Sequence, residues 1–308
     1  MRPFPSSVLP QRPCGLRRGG FVRGALRSAG AARCAALCGA AVLGAALTGA
    51  CRSGDAEPVL EDPSGVEEPA PTPPRTPVLS IEIVDRFPHD PRAYTQGLLV
   101  VDGELYESTG QRGESTVRRV QVKDGKVDRS RPLARQLFGE GLASTGGLLV
   151  QLTWTSRKAL VWDRATLRQL DYSYPYEGEG WGLTTRDDGK FVMSDGTSRL
   201  RIVDPKGFKV VGTLDVTDQG RPVIDLNELE WIEGEVWANV WKSDRIARID
   251  PATGEVRAWV DCSGLLPPRS GLDPTDEVLN GIAYAAASGS IYVTGKRWPT
   301  LFEIRVVE

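Results

Sequence analysis

Phe138-Gly139-Glu140-Gly141-Leu142 is the stretch from which the fold is read. A glycine and an aliphatic residue open a short strand, and a turn and a second strand, Leu148-Leu149-Val150-Gln151-Leu152, follow. Comparable openings occur at Gln96-Gly97-Leu98, Trp181-Gly182-Leu183, Glu228-Leu229-Glu230 and Asn280-Gly281-Ile282. Their middle residues are separated by 44, 41, 47 and 52 positions. Units continue into a third strand, as at 159–163, 199–204 and 245–250. Four-stranded units at such a period are the blades of a propeller. Five openings predict an all-β chain folded as a five-bladed β-propeller. The strand at 79–84 belongs to no unit of its own, and is expected to complete the last blade beside 301–306, closing the ring.

Turn signals support hairpins throughout. Asp102-Gly103, Asp124-Gly125, Asp188-Gly189, Glu233-Gly234, Thr253-Gly254 and Ser288-Gly289 separate strand-like runs, and no sustained helical periodicity intervenes.

The repeats occupy only part of the 308 residues. Residues 1–50 hold seven arginines and no acid, with an apolar, alanine-rich segment from Cys34 to Ala50. This reads as an export signal. It ends Leu47-Thr48-Gly49-Ala50-Cys51, small residues before a cysteine, as at a lipoprotein cleavage site with Cys51 lipidated. The alternative is an ordinary signal peptide cut near Ala50. Residues 51–77 hold six acids and seven prolines, which reads as a disordered tether. The predicted catalytic domain is 78–308, held outside the cytoplasmic membrane, in the periplasm or cell envelope.

The rest of the chain excludes several chemistries. Beyond residue 50 it carries 31 basic against 40 acidic residues, a poor surface for nucleic acid. Of five cysteines only Cys262 lies in the domain, so it has no disulfide framework and no cysteine-rich zinc site. The single histidine, His89, cannot build a two- or three-histidine metal centre. It lies in Pro88-His89-Asp90-Pro91, which reads as a turn rather than as a catalytic base.

In a propeller the innermost strands converge on one axis. Gln96, Glu140, Trp181, Asn227, Glu228 and Asn280 are therefore expected at one end of it, joined by Trp154, Trp241 and Lys296 from the following strands. An indole in a β protein usually fills core, and an Asn or Asp at a turn usually caps backbone. Recurrence at equivalent positions argues instead for a pocket with aromatic walls and a few convergent polar groups. Glu228 and Glu230 read as structural or supporting carboxylates.

Nine segments in register resemble a known family. They are Ala93-Tyr94-Thr95-Gln96-Gly97-Leu98, Phe138-Gly139-Glu140-Gly141, Leu152-Thr153-Trp154, Glu179-Gly180-Trp181-Gly182-Leu183, Ser194-Asp195-Gly196, Leu226-Asn227-Glu228-Leu229-Glu230, Ala238-Asn239-Val240-Trp241, Leu279-Asn280-Gly281-Ile282-Ala283 and Thr294-Gly295-Lys296. The domain is similar to the glutamine cyclotransferases of the plant and bacterial type. That resemblance implies a five-bladed propeller and an acyltransferase that converts the N-terminal glutamine of peptides or proteins to pyroglutamate with release of ammonia. It implies no metal and no organic cofactor, and we expect a monomer. The family's site falls on Tyr94, Gln96, Phe138, Glu140, Trp154, Trp181, Asn227, Trp241 and Lys296. Tyr94 departs from the pattern, which more usually has phenylalanine.

Cyclisation requires the α-amine to lose a proton, donors for the oxyanion, and a proton for the leaving nitrogen. Glu140 is expected to shuttle the proton, first as base and then as acid. Lys296 and Asn227 are expected to hold the carbonyl oxygen, Gln96 to orient the amide, and Trp154, Trp181 and Trp241 to enclose the side chain. Two other readings stay open. One is a metal-dependent propeller hydrolase or lactonase using Glu140, Asn227 and Asn280. The other is a non-catalytic, peptide-binding envelope propeller.

Overall fold

The computed structural model describes residues 75–265, 273 and 276–307. The export signal, Cys51 and nearly all of the acidic tether lie outside the described residues. All described residues lie in the unit Pro69–Glu308.

The described residues form strands and turns, with no helix among them. Three four-stranded antiparallel meanders follow one another. The first is Thr95–Val101, Glu104–Thr109, Thr116–Val120 and Val127–Pro132; the second Gly139–Thr145, Leu148–Thr153, Lys158–Asp163 and Gln169–Pro175; the third Leu183–Thr185, Phe191–Met193, Arg199–Asp204 and Lys209–Asp215. A further meander runs Leu226–Ile232, Glu235–Val240, Arg245–Ile249 and Val256–Asp261. The last group is Leu279–Ala285, Ser290–Gly295 and Thr300–Val307, completed by the N-terminal strand Val78–Pro88. That strand lies antiparallel to Thr300–Val307, with Ile81 opposite Val306 and Phe87 opposite Leu301. Its first residues also pair in parallel with Val256–Asp261, which joins the last two groups into one eight-stranded sheet. The innermost strands touch in cyclic order, the last returning to the first. This all-β arrangement is consistent with a propeller.

Apolar clusters fill the spaces between consecutive groups. Leu99, Tyr106 and Val117 pack on Leu142, Leu149 and Trp162. Ala143, Val150 and Leu152 pack on Leu183, Phe191 and Met193. Leu98, Leu105 and Val120 meet Ala283 and Leu301 from the last group. Each such side chain contributes about 1.5–3 kcal/mol on full burial. Outer strands alternate in exposure, as in Lys209–Asp215. Inner strands do not: Thr95–Val101, Gly139–Thr145 and Leu279–Ala285 are all buried over their first five residues, then half-exposed. Their polar side chains at those positions are shielded from solvent.

A register break at the start of the inner strands sets that direction. Thr95 pairs with Thr109 and Gly97 with Ser108, so Gln96 is skipped. Gly139 pairs with Thr153 and Leu142 with Gln151, skipping Glu140 and Gly141. Leu226 to Leu229 skips Asn227 and Glu228, and Leu279 to Ile282 skips Asn280 and Gly281. A bulge frees its residues from the ladder and turns their side chains. These breaks also correct the repeat alignment. The fourth opening is Asn227-Glu228-Leu229, one residue earlier than the sequence suggested, so Glu228 stands where other units carry glycine.

The glycines let neighbouring inner strands touch. A Cβ on Gly141 would lie 2.4 Å from the Leu183 amide nitrogen, and one on Gly182 would lie 2.0 Å from the Asn227 carbonyl oxygen. Glu228 fills the corresponding place with a carboxyl that accepts from the amides of Leu98 (3.1 Å) and Ile282 (2.8 Å). Glu230, further along the strand, accepts from the Tyr284 amide at 2.8 Å and the Thr184 hydroxyl at 3.2 Å. Burial pushes the pKa of both carboxyls up, Glu230 to about 8, and the Glu230 charge adds to the rise at Glu228.

Candidate active site

The site is built where inner strands begin and second strands end. Gln96, Glu140 and Asn227 sit on the bulges, with Tyr94, Phe138 and Trp181 just before their strands. Trp154, Trp241 and Lys296 each follow the last residue of a second strand. In antiparallel hairpins those positions share one end of the sheet. All nine residues expected from the sequence line one cavity of about 270 Å³, together with Asp276.

Aromatic rings form the walls. Tyr94 meets Phe138 edge-on at 6.0 Å, Phe138 meets Trp154 at 5.6 Å, and Trp181 meets Trp241 at 5.7 Å. Glu179 joins the two halves, accepting from the indole nitrogens of Trp154 (2.5 Å) and Trp181 (3.0 Å). Gly196 supports Trp181 from behind: its φ is +81°, and a Cβ there would lie 2.6 Å from the indole.

The polar groups lie deeper. Glu140 is 4% exposed. Burial raises its pKa well above the usual carboxylate range; the Lys296 ammonium and a Gln96 hydrogen bond oppose this, and the Glu179 charge adds to it. Asn280 donates to Gln96 Oε1 and to the Thr95 carbonyl, both at 2.9 Å, which leaves the Gln96 amide nitrogen for Glu140. Burial draws the Lys296 pKa down, against the charges of Glu140 and Asp276. Its Nζ lies 5.0 Å from the Tyr94 ring centroid and 5.9 Å from that of Trp241. The Asn227 backbone is held by Ser194, whose Oγ donates to its carbonyl at 2.6 Å and accepts from the Gly182 amide at 2.7 Å. Two buried atoms at the cavity have no hydrogen-bond partner among the described residues: Asn227 Oδ1 and Trp241 Nε1. Buried polar atoms are ordinarily paired, so one free acceptor and one free donor at a pocket are binding atoms for a polar ligand.

Such a cavity suits a neutral chain ending in a carboxamide. Its walls take methylenes, its floor offers a donor and an acceptor, and a buried acid adjoins them. The model of the family described as glutamine cyclotransferase matches residues 59–306. The chain belongs to the glutamine cyclotransferase family. It is 44% identical over 232 residues to the glutaminyl-peptide cyclotransferase of Arabidopsis thaliana, covering 73% of this chain and 71% of that one. Its fold is similar to the crystal structure of Myxococcus xanthus glutaminyl cyclase, with a TM-score of 0.69 and 38% identity, over 75% of this chain and 99% of the other.

Some site features were not legible as such in the sequence. Asp276 precedes the last inner strand and carries no repeat signal; its carboxylate accepts from the Tyr94 hydroxyl. Glu179 belongs to the segment Glu179-Gly180-Trp181-Gly182-Leu183, but nothing in the chain order shows it reaching two indoles. Asn280 reaches the site through Gln96, and does not line the cavity. His89 lies outside it: it is buried, with Nδ1 2.7 Å from the Trp298 carbonyl and Nε2 3.1 Å from Glu107.

Proposed function

We propose that this chain is a five-bladed propeller cyclotransferase that converts N-terminal glutamine of peptides to pyroglutamate and ammonia. Five inner strands in cyclic contact support the blade count. One observation carries the activity: a buried carboxyl, Glu140, beside a free amide oxygen and a free indole N–H in an aromatic-walled cavity.

Burial raises the Glu140 pKa and so favours its protonated form, which suits donation to the leaving amide nitrogen as its first act. This reverses the order expected from the sequence. Lys296 and the Trp241 indole N–H hold the oxyanion, and Asn227 Oδ1 accepts from the amide nitrogen of the substrate. The rings of Tyr94, Phe138, Trp154, Trp181 and Trp241 fold the glutamine side chain toward its own α-amine. Gln96, fixed by Asn280, orients Glu140.

The hydrolase reading needs Asn280 as a metal ligand beside Glu140 and Asn227, yet Asn280 does not line the cavity that those two residues share. Among the described residues no three His, Cys, Asp or Glu side chains cluster for a metal. Export and attachment through Cys51 complete the proposal; the basic, alanine-rich leader and the acidic tether support them. The test is Glu140→Gln. We expect a loss of about 10²–10⁴-fold in ammonia release from a glutamine-initiated dipeptide, with unchanged unfolding. Release near the wild-type rate removes Glu140 from the chemistry.

A further inference from the structure

A second carboxylate lines the cavity. Asp276 is half-buried whereas Glu140 is almost fully enclosed, so the two lie at different depths. The Tyr94 hydroxyl donates to Asp276 Oδ1. Among the described residues no other side chain bonds to Asp276, and Oδ2 is the oxygen that the Tyr94 hydroxyl does not use. This pair exists because Tyr94 stands where the family pattern more usually has phenylalanine.

Depth decides what each carboxylate meets. A peptide enters by its glutamine side chain and must leave the mouth from the α-carbon. The amide therefore goes deep, toward Glu140, Asn227 and Lys296. The α-amine stays shallow, level with Asp276. Resting on the cyclotransferase reading, we infer that Asp276, oriented by the Tyr94 hydroxyl, binds the substrate's α-ammonium and takes its proton.

The steps balance. Asp276 Oδ2 takes one proton from the ammonium. The freed nitrogen forms a bond to the amide carbon, and the carbonyl electron pair moves onto oxygen. Glu140 gives its proton to the amide nitrogen; the carbonyl re-forms, the carbon–nitrogen bond breaks and ammonia leaves. The excess proton on the ring nitrogen passes to Glu140, which restores it. Asp276 releases its proton to water at the mouth. Two carboxyls in different surroundings thus divide the acid and base roles.

The experiment is the pH profile of kcat/KM for a glutamine-initiated dipeptide, with wild type, Asp276→Asn and Tyr94→Phe. A free α-amine titrates near about 7.7–8.0. With Asp276 present the ammonium form is usable, and kcat/KM stays level from about pH 6 to pH 7.5. In Asp276→Asn only the free amine reacts, and kcat/KM falls about tenfold per unit below about pH 7.7. Tyr94→Phe keeps the ring and removes the donor that orients Asp276, so it loses more activity at pH 6 than at pH 8.5. A merely structural tie would lower each profile without changing its shape. An Asp276→Asn profile parallel to wild type overturns the inference; should that variant not fold, equal losses for Tyr94→Phe at both pH values overturn it. Wild type that releases no ammonia refutes the cyclotransferase reading itself.

Discussion

Replacing the buried acid Glu230 by glutamine should stabilise this protein, and increasingly so as pH rises. Its pKa is about 8 in the folded chain, because burial outweighs the Tyr284 amide and the Thr184 hydroxyl that favour the anion; the ordinary value is 4.5. Between those two pH values the folded state holds a proton that the unfolded state has lost. Stability contributed by that proton is fully present below pH 4.5 and is lost as pH rises toward 8. At about 1.4 kcal/mol per pH unit the loss is about 3 kcal/mol by pH 7 and about 5 kcal/mol by pH 8. Glutamine does not ionise. Its Oε1 can still accept from the Tyr284 amide, and its Nε2 can donate to the Thr184 hydroxyl. Urea unfolding of both proteins at pH 5, 7 and 8.5 reads the difference, provided the m-values agree. We expect near equality at pH 5 and an advantage for Glu230→Gln of about 3 kcal/mol at pH 7. A difference that does not change with pH, or a variant that weakens as pH rises, refutes the reasoning.

Other outcomes follow from the same contacts. Gly182→Ala places a Cβ 2.0 Å from the Asn227 carbonyl, so it should cost about 1–3 kcal/mol or more of stability and lower kcat through displacement of Asn227, measured by unfolding and by turnover. Glu179→Ala releases both indole N–H groups and should raise KM more than it lowers kcat. His89 contributes through Glu107, which, against the effect of burial, raises its pKa above 6.5. That contribution is complete below pH 6.5 and is lost as pH rises through the raised value, so His89→Gln should be more damaging at pH 6 than at pH 9 in denaturant titrations. Its cost at pH 6 should stay below the ~3–5 kcal/mol of an uncompensated buried charge, since Arg118 remains paired with Glu107 at 2.8 Å.

The repeat openings made the all-β class legible because glycine before an aliphatic residue is demanded by close contact of inner strands. The fourth opening misaligned by one residue because Glu228 replaces that glycine and fills its place with a carboxyl bonded to two backbone amides. A register break is a property of two paired strands, and one strand's sequence does not show it. The nine cavity residues were reached through recurrence and the family resemblance together. Asp276 was missed because its loop carries no repeat signal, and its relevance depends on Tyr94, 182 residues away. Glu179 was missed for a similar reason: a surface-type residue gains its role only where two groups of strands bring indoles together. Glu230 was legible as structural, whereas its shifted proton equilibrium follows only from complete burial.

The central claim is a buried acid that protonates a leaving amide nitrogen without a metal. It is tested most directly by ammonia release from a glutamine-initiated dipeptide, followed with and without a chelator, beside the same peptide with its α-amine acetylated. The account predicts one ammonia and one pyroglutamyl product per peptide, the same rate in chelator, and no release from the acetylated peptide. Release from the acetylated peptide, or loss of activity on chelation, would contradict it.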